Sequence, residues 1–397
     1  MTQKKHGTDL TPRYSATQFL HWISATGTTS FATAYLLSRG MSSGLVGTLL
    51  AAAGLLSCLT QPVLASAADR SKRFVLIRMQ VTTTLLCCLC LLLQFLPGLP
   101  VFWAGVFYMA GVFSSDTMTP LMNALSVAYN GAGYPINYGA ARGIGSAASA
   151  LSALAAGHIL ARCGAGWMLL FLLLFRLLCV LTFLGYPRID KTESADESRG
   201  ESCTVGEFFR RYRWYCASLL GVLFLGMYLA MTENYMIAIM GRLGGDSGNV
   251  GTALFLSSLV GAPVIFCFSR VRRHLSDTRL LKLAALTFLL RSVLVCMATS
   301  VAHIYLIQLL QVTSYAFLGP VQVYYAGDRV QPCDMVKGQA FITAAYALGC
   351  SLGNFTGGQL LNVSVDAMLY AGVAMALSGV AVIFLTVDRR DRLTNAA

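Results

Sequence analysis

Twelve apolar runs follow one another from residue 14 to residue 387, at 14–38, 43–67, 74–95, 101–125, 139–161, 166–186, 214–240, 248–269, 279–299, 302–325, 338–361 and 367–387. A helix of about twenty residues crosses a hydrocarbon core of ~30 Å. In that core each backbone N–H and C=O must find its partner within the segment. The runs therefore predict an all-α integral membrane protein of twelve transmembrane helices. Composition agrees: 56% of the residues are hydrophobic and 12% charged, whereas a soluble globule carries about 25% charged residues. The first thirteen residues are polar and the first run is full length, so no cleavable signal peptide is expected.

The text is also duplicated. Ser43-Gly44-Leu45-Val46-Gly47-Thr48-Leu49-Leu50 returns as Ser247-Gly248-Asn249-Val250-Gly251-Thr252-Ala253-Leu254, at an offset of 204 residues. Each copy opens a run that contains a proline, Pro62 or Pro263, and ends in a basic cluster, Arg70-Ser71-Lys72-Arg73 or Arg270-Val271-Arg272-Arg273. So long a period suits the two halves of a transporter rather than a solenoid. We expect two pseudo-symmetric six-helix bundles, residues 1–186 and 214–397. Residues 187–213, the one long polar stretch, form a cytoplasmic linker, with an interfacial helix at 208–212.

The net charge of +12 is placed on one side of the spans. Lys4, Lys5, Arg13, Arg70, Lys72, Arg73, Arg210, Arg211, Arg213, Arg270, Arg272, Arg273, Arg389, Arg390 and Arg392 fall there, against Arg39, Arg162 and Arg242 on the other. The asymmetry puts both termini in the cytoplasm of a multi-pass plasma, or inner, membrane protein. It also removes nucleic acid from the expected partners, since no basic surface interleaved with aromatics lies outside the short loops. Of the twelve cysteines most lie inside spans and only Cys163 is expected outside, so no external disulfide forms. No metal or cofactor is expected, and the chain is expected to act as a monomer.

Polar residues at helical spacing mark the faces turned from lipid. Gln18, His21, Ala25, Thr28, Ala32 and Tyr35 share a face of span 1; Asp116, Thr119 and Asn123 one of span 4; Gln308, Gln311, Tyr315 and Gln322 one of span 10. Span 7 carries Thr232, Glu233 and Asn234. Spans 1, 4, 7 and 10 are expected to line a central cavity, with 3, 6, 9 and 12 as scaffold. Ridges of small residues, Ala141, Gly145, Ser149, Ala153 and Gly157 in span 5 and Gly349, Gly353 and Gly357 in span 11, suit a moving interface.

These features resemble the major facilitator superfamily over essentially the whole chain. Ala65-Ser66-Ala67-Ala68-Asp69-Arg70-Ser71-Lys72-Arg73 is similar to its loop signature between spans 2 and 3, with Ala65 and Lys72 where glycine is usual. Tyr138-Gly139-Ala140-Ala141-Arg142-Gly143-Ile144-Gly145-Ser146 resembles the span-5 motif of the branch containing lactose permease and the phenylpropionate porters. Gly338-Gln339-Ala340 and Gly353-Asn354-Phe355-Thr356-Gly357-Gly358 are similar to the same branch. The resemblance implies that Asp69, Arg70 and Arg73 gate the cytoplasmic side. It implies that Arg142 meets the substrate while pairing with an acid near the end of span 4. Here that place holds Asn123, span 8 has Ala262 where an acid is common, and span 10 lacks a central His or Glu. Lactose is therefore not the expected substrate.

The substrate is expected to meet Arg142, Asn123, Asp116, His21, Gln18, Gln308, Gln311 and Tyr315. Arg142 with Asn123 and Asp116 would form the polar floor, where open guanidinium donors favour an organic acid, a sugar or a polyol. The alternative, Arg142 pairing with Asp116 to hold helices together, stays open. Glu233 and then Asp116 are the candidate proton carriers, since a buried acid changes its readiness to ionise; a structural pair with Arg142, Arg176 or Arg291 is the other reading. Arg176 and Arg291, on scaffold helices, are expected to pair or snorkel, and His158 to pack.

The function expected is secondary transport of a small organic solute by alternating access, with proton coupling open. No Gly-rich loop followed by Lys-Ser/Thr supports ATP hydrolysis, and the five scattered histidines offer no catalytic cluster, so an enzyme is not expected. Efflux by the same fold, and a receptor derived from it, remain open.

Overall fold

A computed structural model describes residues 8–70, 75–187, 189 and 203–389. Its helices are α1 (Thr11–Ser30), α2 (Ala32–Ser38), α3 (Ser43–Arg70), α4 (Leu76–Leu93), α5 (Val101–Gly131), α6 (Tyr138–Cys163), α7 (Ala165–Phe183), α8 (Val205–Arg211) and α9 (Arg213–Glu233). They continue as α10 (Met236–Arg242), α11 (Ser247–Phe266), α12 (Phe268–Arg272), α13 (Asp277–Met297), α14 (Val301–Gln308), α15 (Tyr315–Arg329), α16 (Met335–Leu361) and α17 (Val365–Thr386). Each expected span is one helix or a broken pair. Nine segments among the described residues are long and apolar enough to cross a membrane. The passages 11–38, 101–131 and 335–361 are equally long but diluted by the polar or small residues already noted.

Four spans are interrupted, at Phe31, at Asn234-Tyr235, at Cys267 and across 309–314. The last break is a 3₁₀ turn, Leu309–Val312, followed by Ser314 at φ −93°, ψ −96°. Irregular backbone at such depth persists where protein groups satisfy it. Here the Ser314 hydroxyl donates to the Leu310 carbonyl at 3.0 Å.

The chain forms two compact units, residues 1–194 with 245–258, and 195–244 with 259–397. In the first, α1 packs on α6 and α7, and α4 on α5 and α7. In the second, α9 packs on α16 and α17, and α13 on α15 and α17. Counted in spans, 1 meets 5 and 6 as 7 meets 11 and 12, and 3 meets 4 and 6 as 9 meets 10 and 12. The two units thus share one packing pattern.

Residues 245–258, which the sequence assigns to the second bundle, join the first unit. The reason is a glycine crossing: a Cβ on Gly157 of α6 would lie 2.5 Å from the Ser247 carbonyl and 2.8 Å from the Gly251 Cα of α11. Beside it His158, expected only to pack, has Nε2 3.4 Å from the Thr252 hydroxyl. The span-11 ridge is spent inside the second unit, where Cβ atoms on Gly349 and Gly353 would clash with the Leu223 and Met227 carbonyls of α9.

The end of the linker is docked. Thr204 and Glu207 form a capping box that starts α8. Phe208 is fully buried among Tyr212, Tyr215 and Phe341, while Phe209 stays half exposed. Buried Asp334 accepts from the Cys203 N–H and the Tyr212 hydroxyl, both at 3.0 Å. Residues 188 and 190–202 of the expected linker lie outside the described residues.

Candidate functional site

Arg142 stands one turn into α6, half buried, and forms no ion pair among the described residues. Its guanidinium lies over the Trp22 ring, 4.3 Å from the centroid, and one nitrogen donates to the Ser146 hydroxyl at 3.3 Å. The rest of the five-donor fork has no acceptor among the described residues. The indole is held in turn: Trp22 Nε1–H donates to Gln18 at 2.8 Å, Gln18 donates to Tyr14 at 2.9 Å, and Tyr14 donates to the Met122 carbonyl at 3.0 Å. Gly145 makes the seat, since a Cβ there would fall 2.6 Å from Trp22 Cδ1. Asn123 is exposed and accepts from the Tyr138 hydroxyl at 3.0 Å instead of meeting Arg142.

A second polar centre surrounds Arg176 of α7, whose side chain is fully buried and does not snorkel. It donates to Ser115 at 2.6 Å and to His21 Nδ1 at 3.0 Å. A guanidinium can only donate, so Nδ1 must be the accepting nitrogen and the His21 proton sits on Nε2, 3.3 Å from the Thr119 hydroxyl. Asp116 makes no hydrogen bond among the described residues, and the charge acting on it is that of Arg176. Pro120 lies four residues on and has no N–H to give to the Asp116 carbonyl.

The third centre is Arg291 of α13, 1% exposed. It donates to Gln311 at 2.7 Å, to Gln308 at 2.9 Å and to Ser314 at 3.0 Å. Glu233 stands 4.0 Å away, its buried Oε1 without a hydrogen bond and its side chain 30% exposed. Tyr315, beyond the break, is 38% exposed, whereas Gln308 and Gln311 are buried. Of the expected substrate residues, then, Gln18, His21, Gln308 and Gln311 are buried and committed to internal partners, whereas Arg142 keeps open donors.

At the basic end, Asp69 and Arg70 complete α3, with side chains outside the described part, and Arg73 lies outside the described residues altogether. The second copy of this cluster has a feature the sequence reading missed. Arg272 grips Asp277 with two nitrogens at 2.8–3.1 Å, and Asp328 stands 3.5 Å away. The hydrogen bond to Asp277 holds the Arg272 guanidinium above its ordinary range. The acid follows the basic residues here, whereas Asp69 precedes them, which hid the correspondence. Trp22 was missed too, though its spacing of four from Gln18 was the available signal. Among the described residues no cluster of His, Cys, Asp or Glu could hold a metal ion.

Residues 12–371 match the model of the MFS_1 like family. The chain belongs to that family. No curated protein matches it in sequence. In structure it is similar to the nucleoside transporter NupG, with a TM-score of 0.81 at 12% identity over 96% of this chain and 99% of that one. It is similar to a bacterial homologue of the human lysosomal transporter Spinster in an inward-facing, occupied conformation, at TM-score 0.69, 16% identity, 98% of this chain and 100% of that one. A POT family transporter in complex with 5-aminolevulinic acid follows at TM-score 0.72, 14% identity, 97% and 96%. The MFS_1-like chain is a multi-pass membrane transporter of the major facilitator fold. At these identities the neighbours speak for fold, and their substrates are their own.

Proposed function

We propose that this transporter moves a small organic acid, sugar or polyol by alternating access, without ATP, and that the solute binds at Arg142. The observation that carries the reading is the open guanidinium: half buried, resting on Trp22, with one hydroxyl partner and no acid partner among the described residues. A guanidinium so placed is costly until something accepts its donors. Nucleoside and 5-aminolevulinic acid, named for two fold neighbours, are polar organic solutes of the size intended. Glu233 is the proton carrier, with Asp116 second, if the solute moves with protons. Asp69, Arg70 and Arg73 gate the side on which both termini lie, in the plasma or inner membrane. The protein works as a monomer.

The test is uptake into proteoliposomes of the full chain, screened with sugars, nucleosides and organic acids. Solute-dependent flux in the wild type that falls at least about ten-fold in Arg142→Lys supports the reading, because lysine keeps the charge and loses the planar fork. Saturable binding without flux for any of them points to a receptor of the same fold. Equal flux in wild type and Arg142→Lys overturns the site.

A further inference from the structure

The helix interiors of the first unit hold Asp116, Arg142 and Arg176, one acid against two arginines. Of the two arginines it is Arg176 whose charge acts on Asp116, and in the second unit Glu233 stands 4.0 Å from Arg291. Arg142 is left with a positive charge that no side chain among the described residues pairs, and the span-4 residue Asn123 accepts from Tyr138 instead. What holds Arg142 is the face of an indole. That indole is itself rigid, pinned by the chain Trp22 to Gln18 to Tyr14 to the Met122 carbonyl and let in close by Gly145.

We infer that Trp22 takes the place of the missing acid as the positioning residue of Arg142, and that the solute is a carboxylate. This rests on the reading of Arg142 as the binding residue and narrows it. A ring face attracts the cation yet occupies none of its N–H donors. The fork is thus aimed and kept empty, where a carboxylate partner would have filled it. A neutral sugar or polyol can accept from the fork but leaves the charge unanswered. A carboxylate does both, in the bidentate geometry that a guanidinium matches. The charge of Arg142 is then answered when solute is bound and left open when it leaves.

The test uses phenylglyoxal, which modifies accessible guanidiniums, on the full chain in lipid nanodiscs, with the Arg142 peptide followed by mass spectrometry. Acetate and ethylene glycol are the probes, at equal concentration and with chloride holding the ionic strength. Arg142 is expected to react, with acetate slowing the reaction at least about three-fold and ethylene glycol leaving it unchanged. Trp22→Leu should raise the unprotected rate by roughly three-fold or more, and Trp22→Phe, which keeps a ring face, should stay near wild type. Should Trp22→Leu not fold, Gly145→Ala displaces the same indole and is expected to raise the rate likewise. Acetate protecting no better than ethylene glycol overturns the carboxylate. Unchanged rates in Trp22→Leu, or in Gly145→Ala where it replaces it, overturn the role of Trp22. No modification of Arg142 in the wild type would instead remove Arg142 from the site, which is failure of the underlying reading.

Discussion

Arg291 and Glu233 face each other at 4.0 Å with no hydrogen bond between them, because the guanidinium spends its terminal nitrogens on Gln308, Gln311 and Ser314. The carboxylate is near enough to feel the charge and is not captured by it. Its partial exposure leaves a way in for a proton.

Glu233→Gln should therefore leave solute exchange across the membrane intact and abolish uphill accumulation driven by a pH gradient. Counterflow and gradient-driven uptake in the same proteoliposomes separate the two. Full accumulation by the variant would take Glu233 out of coupling.

His21 accepts from Arg176 at 3.0 Å inside the core. His21→Phe strips Arg176 of one nitrogen acceptor inside the core and should cost about 1–3 kcal/mol. His21→Gln, which can offer an oxygen, should cost less. Unfolding temperatures in one detergent rank the three proteins, and a His21→Phe protein as stable as wild type would contradict the assignment.

The linker knot is testable by pH. Burial works to raise the Asp334 carboxyl, but hydrogen bonds from Cys203 and Tyr212 outweigh it and hold the group below its ordinary 3.8. A carboxyl depressed in the fold stabilises it above the unfolded value and loses that contribution as pH falls through the folded one. The stability difference between wild type and Asp334→Ala should be constant above about pH 4 and shrink below it. At neutral pH the variant leaves an N–H and a hydroxyl without their acceptor, a loss of about 1–3 kcal/mol each. A difference that grows on acidification would refute the knot.

The helical passages were legible because a bilayer permits few alternatives to a helix of fixed length. The centres built on Arg176 and Arg291 were less so. Both arginines stand on helices read as scaffold, and only packing shows that their side chains turn inward to neutral acceptors. Span 10 shows a limit of periodicity: Gln308, Gln311 and Tyr315 share a face on an unbroken helix, but a 3₁₀ turn and Ser314 break the helix before Tyr315. Nothing between Leu309 and Ser314 is a glycine or proline, so the break leaves no mark in the text. Span 5 hides its partner for another reason: the contact of Arg142 is an indole on span 1, 120 residues away in sequence, which no helical spacing connects to it.

The most direct measurement of the central claim is solute affinity beside fold stability for wild type, Arg142→Lys and Arg142→Ala. If Arg142 binds the solute, both variants keep an unfolding temperature near that of wild type while their Kd weakens by about ten-fold or more. If Arg142→Lys binds as tightly as wild type, and Arg142→Ala fails only because less folded protein is recovered, Arg142 holds helices together and the site lies elsewhere.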